Sequence, residues 1–259
     1  MMKSRFPYVA LSVCLLLAGL SACRKQPDPV VATPVPAGPG AMSIEITNQV
    51  NDLAMQLGQW YQTPLGDSVN ISAYKYYLTN ISLTTITGQV YTEQESYHLI
   101  DQNKPESRAI ELSNVPEGDY ATIRFMIGVD SLRNTTGAQT GALDPKLGMI
   151  WSWNTGYIMA KMEGLSPSVP IASKQFFFHV GGFKGENNAT RWVTLQLPAT
   201  AQVKGSKKPN IHLTADMMQW FYGTRDLRLS EFYNIMGEGR NALNLANNYQ
   251  NMFRVNHVD

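Results

Sequence analysis

From residue 42 onward the chain is a succession of short runs dense in β-branched and aromatic residues, each closed by turn formers. Nothing else in the sequence constrains the fold as strongly. Residues 42–50 alternate apolar and polar side chains. "NISAYKYYLTNISLTTITG" (70–88), "SYHLID" (96–101) and "AIELSNVPEGDYATIRFMIGVD" (109–130) follow. Then come "WSWNTGYIMAKMEG" (151–164), "KQFFFHVGGF" (174–183), "TRWVTLQLPA" (190–199) and "PNIHLTAD" (209–216). Branched and ring side chains fit a pleated, half-buried surface, so each run reads as a strand. Pro116, Glu117 and Gly118 supply a turn inside the run 109–130. The spacing predicts a mainly β domain, an antiparallel β-sandwich or a barrel-like arrangement. The tail differs. Ala242, Leu245, Ala246 and Tyr249 recur at helical spacing, which predicts a short C-terminal amphipathic helix closing one end of the sheet.

The N-terminus has its own logic. Lys3 and Arg5 precede an apolar stretch over 9–20, and Leu20-Ser21-Ala22-Cys23 ends it. This is the layout of a secretory signal peptide, 1–22, too short to span a bilayer comfortably. The last four residues resemble a bacterial lipobox. That resemblance implies a lipidated Cys23 as first mature residue; plain secretion with an unmodified Cys23 is the alternative. Cys14, the other of two cysteines, leaves with the signal. A lipidated mature chain then has no disulfide and no thiolate site, and a soft metal would need His or Met donors. Residues 23–41, rich in Pro, Ala and Gly, read as a tether with no core of their own. Residues 42–259 have the length of one domain. Arg24 and Lys25 follow the cysteine without an acidic cluster, so the expected location is the periplasm-facing leaflet of the outer membrane. The net charge is +1, with no basic stripe, which argues against a nucleic-acid partner.

Enzyme templates find little support. No G-x-S-x-G, phosphate-binding loop, G-x-G-x-x-G or H-E-x-x-H is present. Asp144, Glu163 and Asp216 are acids without a telling context, and an acid-pair hydrolase rests on them alone. There are four histidines. His98 and His212 alternate with apolar neighbours and are expected to point outward from their strands. His257 lies close to the end of the sequence. His179, in "FFFHVGGF", shares a face with Phe177 by the two-residue period. Two readings stand for it: a core histidine bonded to backbone, or a metal ligand through neutral imidazole. Met149, Met159 and Met162 are core filler or soft donors. Trp151 and Trp153 share a strand face in this reading, near a strand end beside loops.

"IGVDSLRNTTGAQTGALDPKLGMIWSWNTGYIMAKMEG" resembles the signature region of the MbnP-like family, the methanobactin-associated periplasmic proteins. "YKYYLTNISL", "YHLID", "VPEGDYATIRFMIGVD" and "FFFHVGGF" follow in that family's order, and the resemblance spans most of 43–255. It implies a mainly β extracytoplasmic domain linked to copper, not itself an enzyme. It also implies a di-haem, MauG-like peroxidase as partner, which converts a tryptophan to kynurenine. Trp151 and Trp153 match the motif tryptophans, either of which is the candidate for modification. His179 is the first copper-ligand candidate; Met149, His98 and His212 are possible completions. The rival expectation is a lipoprotein that binds a protein or nutrient partner, with both indoles structural.

Overall fold

The computed structural model describes residues 40–137, 139–151 and 156–259. The signal segment, Cys23, the tether up to residue 39 and Trp153 lie outside the described residues. Among those described, no helix is long and apolar enough to cross a membrane.

In chain order the strands are β1 (Gly40–Val50), β2 (Leu53–Ala54), β3 (Trp60–Gln62), β4 (Ser68–Thr85), β5 (Val90–Thr92), β6 (Tyr97–Asp101), β7 (Ala109–Val115) and β8 (Gly118–Ile127). Helix α1 (Ser131–Thr135) precedes β9 (Ala160–Leu165), β10 (Gln175–Val180), β11 (Arg191–Val203), β12 (Asn210–Asp216) and β13 (Asn234–Gly237). Helix α2 (Arg240–Tyr249) and β14 (Phe253–Val258) complete the chain. A nine-stranded sheet runs β11-β8-β4-β9-β10-β13, with β3, β5 and β6 also on β4. A five-stranded sheet runs β14-β12-β1-β2, with β7 on β1. One core cluster draws on both, from Ile44, Ile46 and Leu213 to Tyr76, Phe125 and Phe178. The Phe253 ring of β14 meets Tyr76 and Phe125 edge-on at 5.7 and 4.9 Å. The Tyr76 hydroxyl donates to Asn48 Oδ1 of β1 at 2.8 Å, satisfying a phenol that burial would otherwise penalise.

The architecture is a sandwich-like pair of sheets, not a closed barrel. It departs from a purely antiparallel arrangement. β1–β12 and β10–β13 pair in parallel. Both pairs join segments far apart in sequence, where the intervening chain is long enough for a crossover and no hairpin dictates direction.

β4 organises the larger sheet. Its core-facing residues are Val69 and Ile71, then Tyr74, Tyr76 and Leu78, then Ile81 and Leu83. The two-residue phase slips twice, where the register shifts between Ile71 and Ala73 and between Thr79 and Ser82. Asn80, at φ +55°, sits in the second slip, a backbone region asparagine tolerates. Several β4 residues have a partner on each side. Lys75 pairs with Asp101 and Lys161, Leu78 with His98 and Ile127, and Ser82 with Thr92 and Arg124. So β3, β6 and β5 line one edge, and β9 and β8 lie end to end along the other. At their junction the Tyr77 N–H donates to Met159 O (3.1 Å), and its carbonyl accepts from Gly128 N (3.0 Å). The chain leaves the sheet at Gly128 and rejoins it at Met159, both on this one residue.

The expected strand over 151–164 is therefore only partly formed. It begins at Ala160, and Ile150 and Tyr157 make no more than an isolated bridge. Gly148 and Gly156, at φ +72° and +95°, interrupt extended backbone there. The helix does form at the expected residues. Ala242, Leu245, Ala246 and Tyr249 of α2 are all buried, and Tyr249 packs 5.1 Å from Trp220.

Candidate functional site

Alternation along each strand places a second set of side chains on the outer face of the nine-stranded sheet. Lys75 and Tyr77 lie opposite Tyr76, Lys161 and Glu163 opposite Met162, and Phe177 and His179 opposite Phe178. Register aligns Lys75, Lys161, His179 and Met236 as one cross-strand row over β4, β9, β10 and β13.

His179 is the buried member of that row, 7 % exposed. Its Nε2 lies 2.7 Å from Glu163 Oε1, and Lys161 Nζ lies 2.9 Å from the same oxygen. The hydrogen bond to His179 holds the Glu163 carboxyl down at about 2, against the opposing effect of burial and with help from the Lys161 ammonium. An ionised carboxylate can only accept, so Nε2–H is the donor. In the neutral ring Nδ1 then carries the lone pair. Nδ1 is buried and has no hydrogen-bond partner among the described residues. The backbone-bonded core histidine allowed by the sequence is thus not what the fold builds: the partner is Glu163. A carboxylate on one imidazole nitrogen, with the other nitrogen left open, is the arrangement that orients a metal-ligating histidine.

Met236 was not singled out by its sequence. It sits beside His179 in parallel register and is 42 % exposed, so its thioether is an accessible soft donor. Only the pairing of β13 with β10 reveals it. Met162 belongs to the main core, and Met159 Sδ accepts the Val129 N–H at 3.1 Å, so filler is the right reading for both.

The tryptophan segment covers the neighbouring part of this face. Trp151 joins Tyr77, Leu143, Met149, Tyr157 and Phe183 in a second, smaller core cluster. Its ring lies on Gly181, two residues beyond His179 and on the same face. A Cβ at Gly181 would come 2.4 Å from Trp151 Cη2. The first glycine of "VGGF" is therefore a seat for the indole. The second, Gly182, is at φ +107°, and a Cβ there would come 1.9 Å from Asn187 O. Asn134 ties the segment down: its Oδ1 accepts from Tyr157 N (2.7 Å), and its Nδ2 donates to Val129 O (2.7 Å) and Asp130 O (2.8 Å). Tyr157 OH donates to Leu143 O at 2.8 Å, and Tyr77 meets the Tyr157 ring edge-on at 5.8 Å. Met149, 1 % exposed, lies inside the same cluster. The shared strand face expected for Trp151 and Trp153 is not formed at Trp151, which is in the loop, while Trp153 falls outside the described residues.

The other expected ligands lie elsewhere. His98 pairs with Glu93 at 2.9 Å and alternates away from Tyr97 and Leu99, the β6 residues that pack on the Trp151 cluster. His212 stands on β12, in the other sheet. Among the described residues, the group of three His, Asp or Glu ligands close enough to share an ion is His212, His257 and Asp259. The acids have local roles. Asp144 Oδ1 accepts from Lys146 N and Asp216 Oδ1 from Met218 N, each at 2.9 Å and each capping a short turn of 3-10 helix.

A family model described as MbnP matches residues 39–237. The fold is similar to that of MbnP from Methylosinus trichosporium, with a TM-score of 0.50 at 13 % identity, covering 72 % of this chain and 79 % of that one. No curated protein matches.

Proposed function

The chain belongs to the MbnP family, and from that premise we propose a lipid-anchored, extracytoplasmic copper-binding protein of copper homeostasis. It is not itself an enzyme; it is the substrate of a di-haem peroxidase. Family membership supports the copper-related, extracytoplasmic part. The observation that carries the ligand assignment is the buried, unpartnered Nδ1 of His179, with Glu163 fixed on Nε2.

The donor chemistry fits copper. Imidazole and thioether suit Cu(I), and His179 and Met236 place one of each side by side. Bound copper would supply a redox-active, soft-ligand centre. Glu163 sets the orientation of the imidazole, and the Trp151 cluster keeps water from that side. Neutral imidazole is the binding form, so protons compete with the metal.

The modification concerns Trp151 or Trp153. Oxidation by the partner's peroxide-driven haem breaks the indole C2–C3 bond and adds oxygen at both carbons. Hydrolysis then releases C2 as formate and leaves kynurenine, whose aryl amine is a nitrogen donor that indole lacks. Trp151 is 8 % exposed, so electrons must leave it through the protein. Its close seating on Gly181 favours a structural role for this ring, which turns attention to Trp153. Peptide mapping of protein from cells holding the peroxidase tests the step. Kynurenine at either position supports it; two intact indoles remove the modification and leave the ligand assignment to be judged on Cu(I) affinity.

A further inference from the structure

The five-stranded sheet carries a second constellation on its solvent face. Glu45 of β1, His212 of β12 and His257 of β14 form one cross-strand row. Their chain neighbours Ile44, Ile46, Ile211 and Leu213 point into the core. Strict alternation along β14 would put His257 on the same side as Val255, facing the core. It does not, because the β12–β14 register slips by one residue between His212 and Leu213. Val255 and Val258 both pack on the core, and His257, 48 % exposed at its side chain, faces out. Bulges of this kind re-aim side chains. Here the bulge stacks the His257 ring on His212, with centroids 4.0 Å apart and planes 15° from parallel.

Both imidazoles present Nε2 to one carboxylate oxygen. Asp259 Oδ2 is 3.0 Å from His212 Nε2 and 3.7 Å from His257 Nε2. Ligand atoms of all three residues lie within 4.8 Å of one another. On its far side, His212 Nδ1 lies 3.4 Å from Glu45 Oε2. Nε2 is within hydrogen-bond distance of Asp259 Oδ2 and of the Asn210 amide nitrogen. A cation bound between Nε2 and Asp259 would replace the proton they share and leave the ring proton on Nδ1, toward Glu45. With neutral rings, Glu45 and Asp259 leave the cluster doubly negative.

We propose that His212, His257 and Asp259 form a surface site for a borderline divalent cation, Zn2+ or Cu2+, with Glu45 as the residue that orients His212. Two imidazoles and a carboxylate are the donor set these ions prefer, and three protein ligands leave a position open. Small rotations of the two exposed side chains turn the stacked rings toward a shared ion. The site is independent of the copper reading: it lies on the other sheet, lacks a thioether, and places His257 and Asp259 beyond the residues that the family model matches.

Calorimetric titration with Zn2+ and with Cu2+ tests it, on the wild type and on His257→Ala, Glu45→Gln and His179→Ala. Half-exposed His257 can be truncated without disturbing the core. One divalent ion should bind per chain. His257→Ala should weaken it by more than about tenfold, and Glu45→Gln by about tenfold, the loss typical of an orienting partner. His179→Ala should leave it unchanged. Absence of divalent binding, or equal affinity in His257→Ala, overturns the proposal and leaves a stacked, carboxylate-paired histidine couple. A loss seen only in His179→Ala assigns the divalent ion to the other face.

Discussion

At the residue scale, Gly181 and Glu163 set what the His179 face can do. Gly181 has no room for a methyl group, since its Cβ would stand 2.4 Å from the Trp151 ring. Gly181→Ala must displace the indole or the strand, an overpacking cost of about 1–3 kcal/mol. Denaturant unfolding should show that loss, together with a red-shifted tryptophan emission. Unchanged stability and emission would mean the ring is not seated there. Glu163 carries a pH prediction. Its folded value, about 2, lies below the ordinary 4.5 because of its hydrogen bond to His179 and the Lys161 charge. A depressed carboxyl stabilises the fold above its unfolded value, and that stabilisation fades as the pH falls through the folded one. Glu163→Gln should therefore be less stable than the wild type at about pH 7, and the gap should close toward about pH 2. A pH-independent gap would show that the ion pair is not its source. His179 was legible in sequence, because an imidazole among phenylalanines demands an explanation. Glu163 and Met236 were not, because they reach it only through cross-strand register.

Elements show where local pattern suffices and where it fails. Strand runs with steady alternation, such as β1 and β12, appear where their side chains predict. So does α2, whose four apolar positions all reach the core. Leu245 is fully buried, and Leu245→Ala should cost about 2–5 kcal/mol in urea unfolding; a loss near zero would mean that the helix does not pack. The segment around Trp151 is the counter-example. Its aromatic density reads as strand, but Gly148 and Gly156 take positive φ and Asn134 gathers the backbone into a loop. A side-chain amide bonded to three backbone groups in a loop has no sequence signature. Asn134→Ala strands Tyr157 N–H and Val129 O, at about 1–3 kcal/mol each when buried, while Asp130 O keeps its bond from the residue 134 backbone. Hydrogen exchange should accelerate across 128–159 while the sheets stay protected; uniform protection would deny Asn134 that role.

For the domain as a whole, the two-sheet β class was legible, while the pairing of distant strands was not. β1 with β12 and β10 with β13 join in parallel across long stretches of chain, and no local signal specifies a direction. Long-range pairing decides which histidines meet. The parallel β10–β13 pair sets Met236 beside His179, the antiparallel β12–β14 pair sets His257 beside His212, and His98 is left with Glu93. The ligand set expected as one group therefore divides over separate faces. Under the proposed function, the oriented His179 holds copper. Competition titration with Cu(I), on the wild type and on His179→Ala with its fold verified by circular dichroism, tests it most directly. A soft-metal site weakened by more than about tenfold in the variant is predicted, since losing a ligand should exceed the loss of an orienting partner. Equal Cu(I) affinity in a folded His179→Ala protein would contradict it.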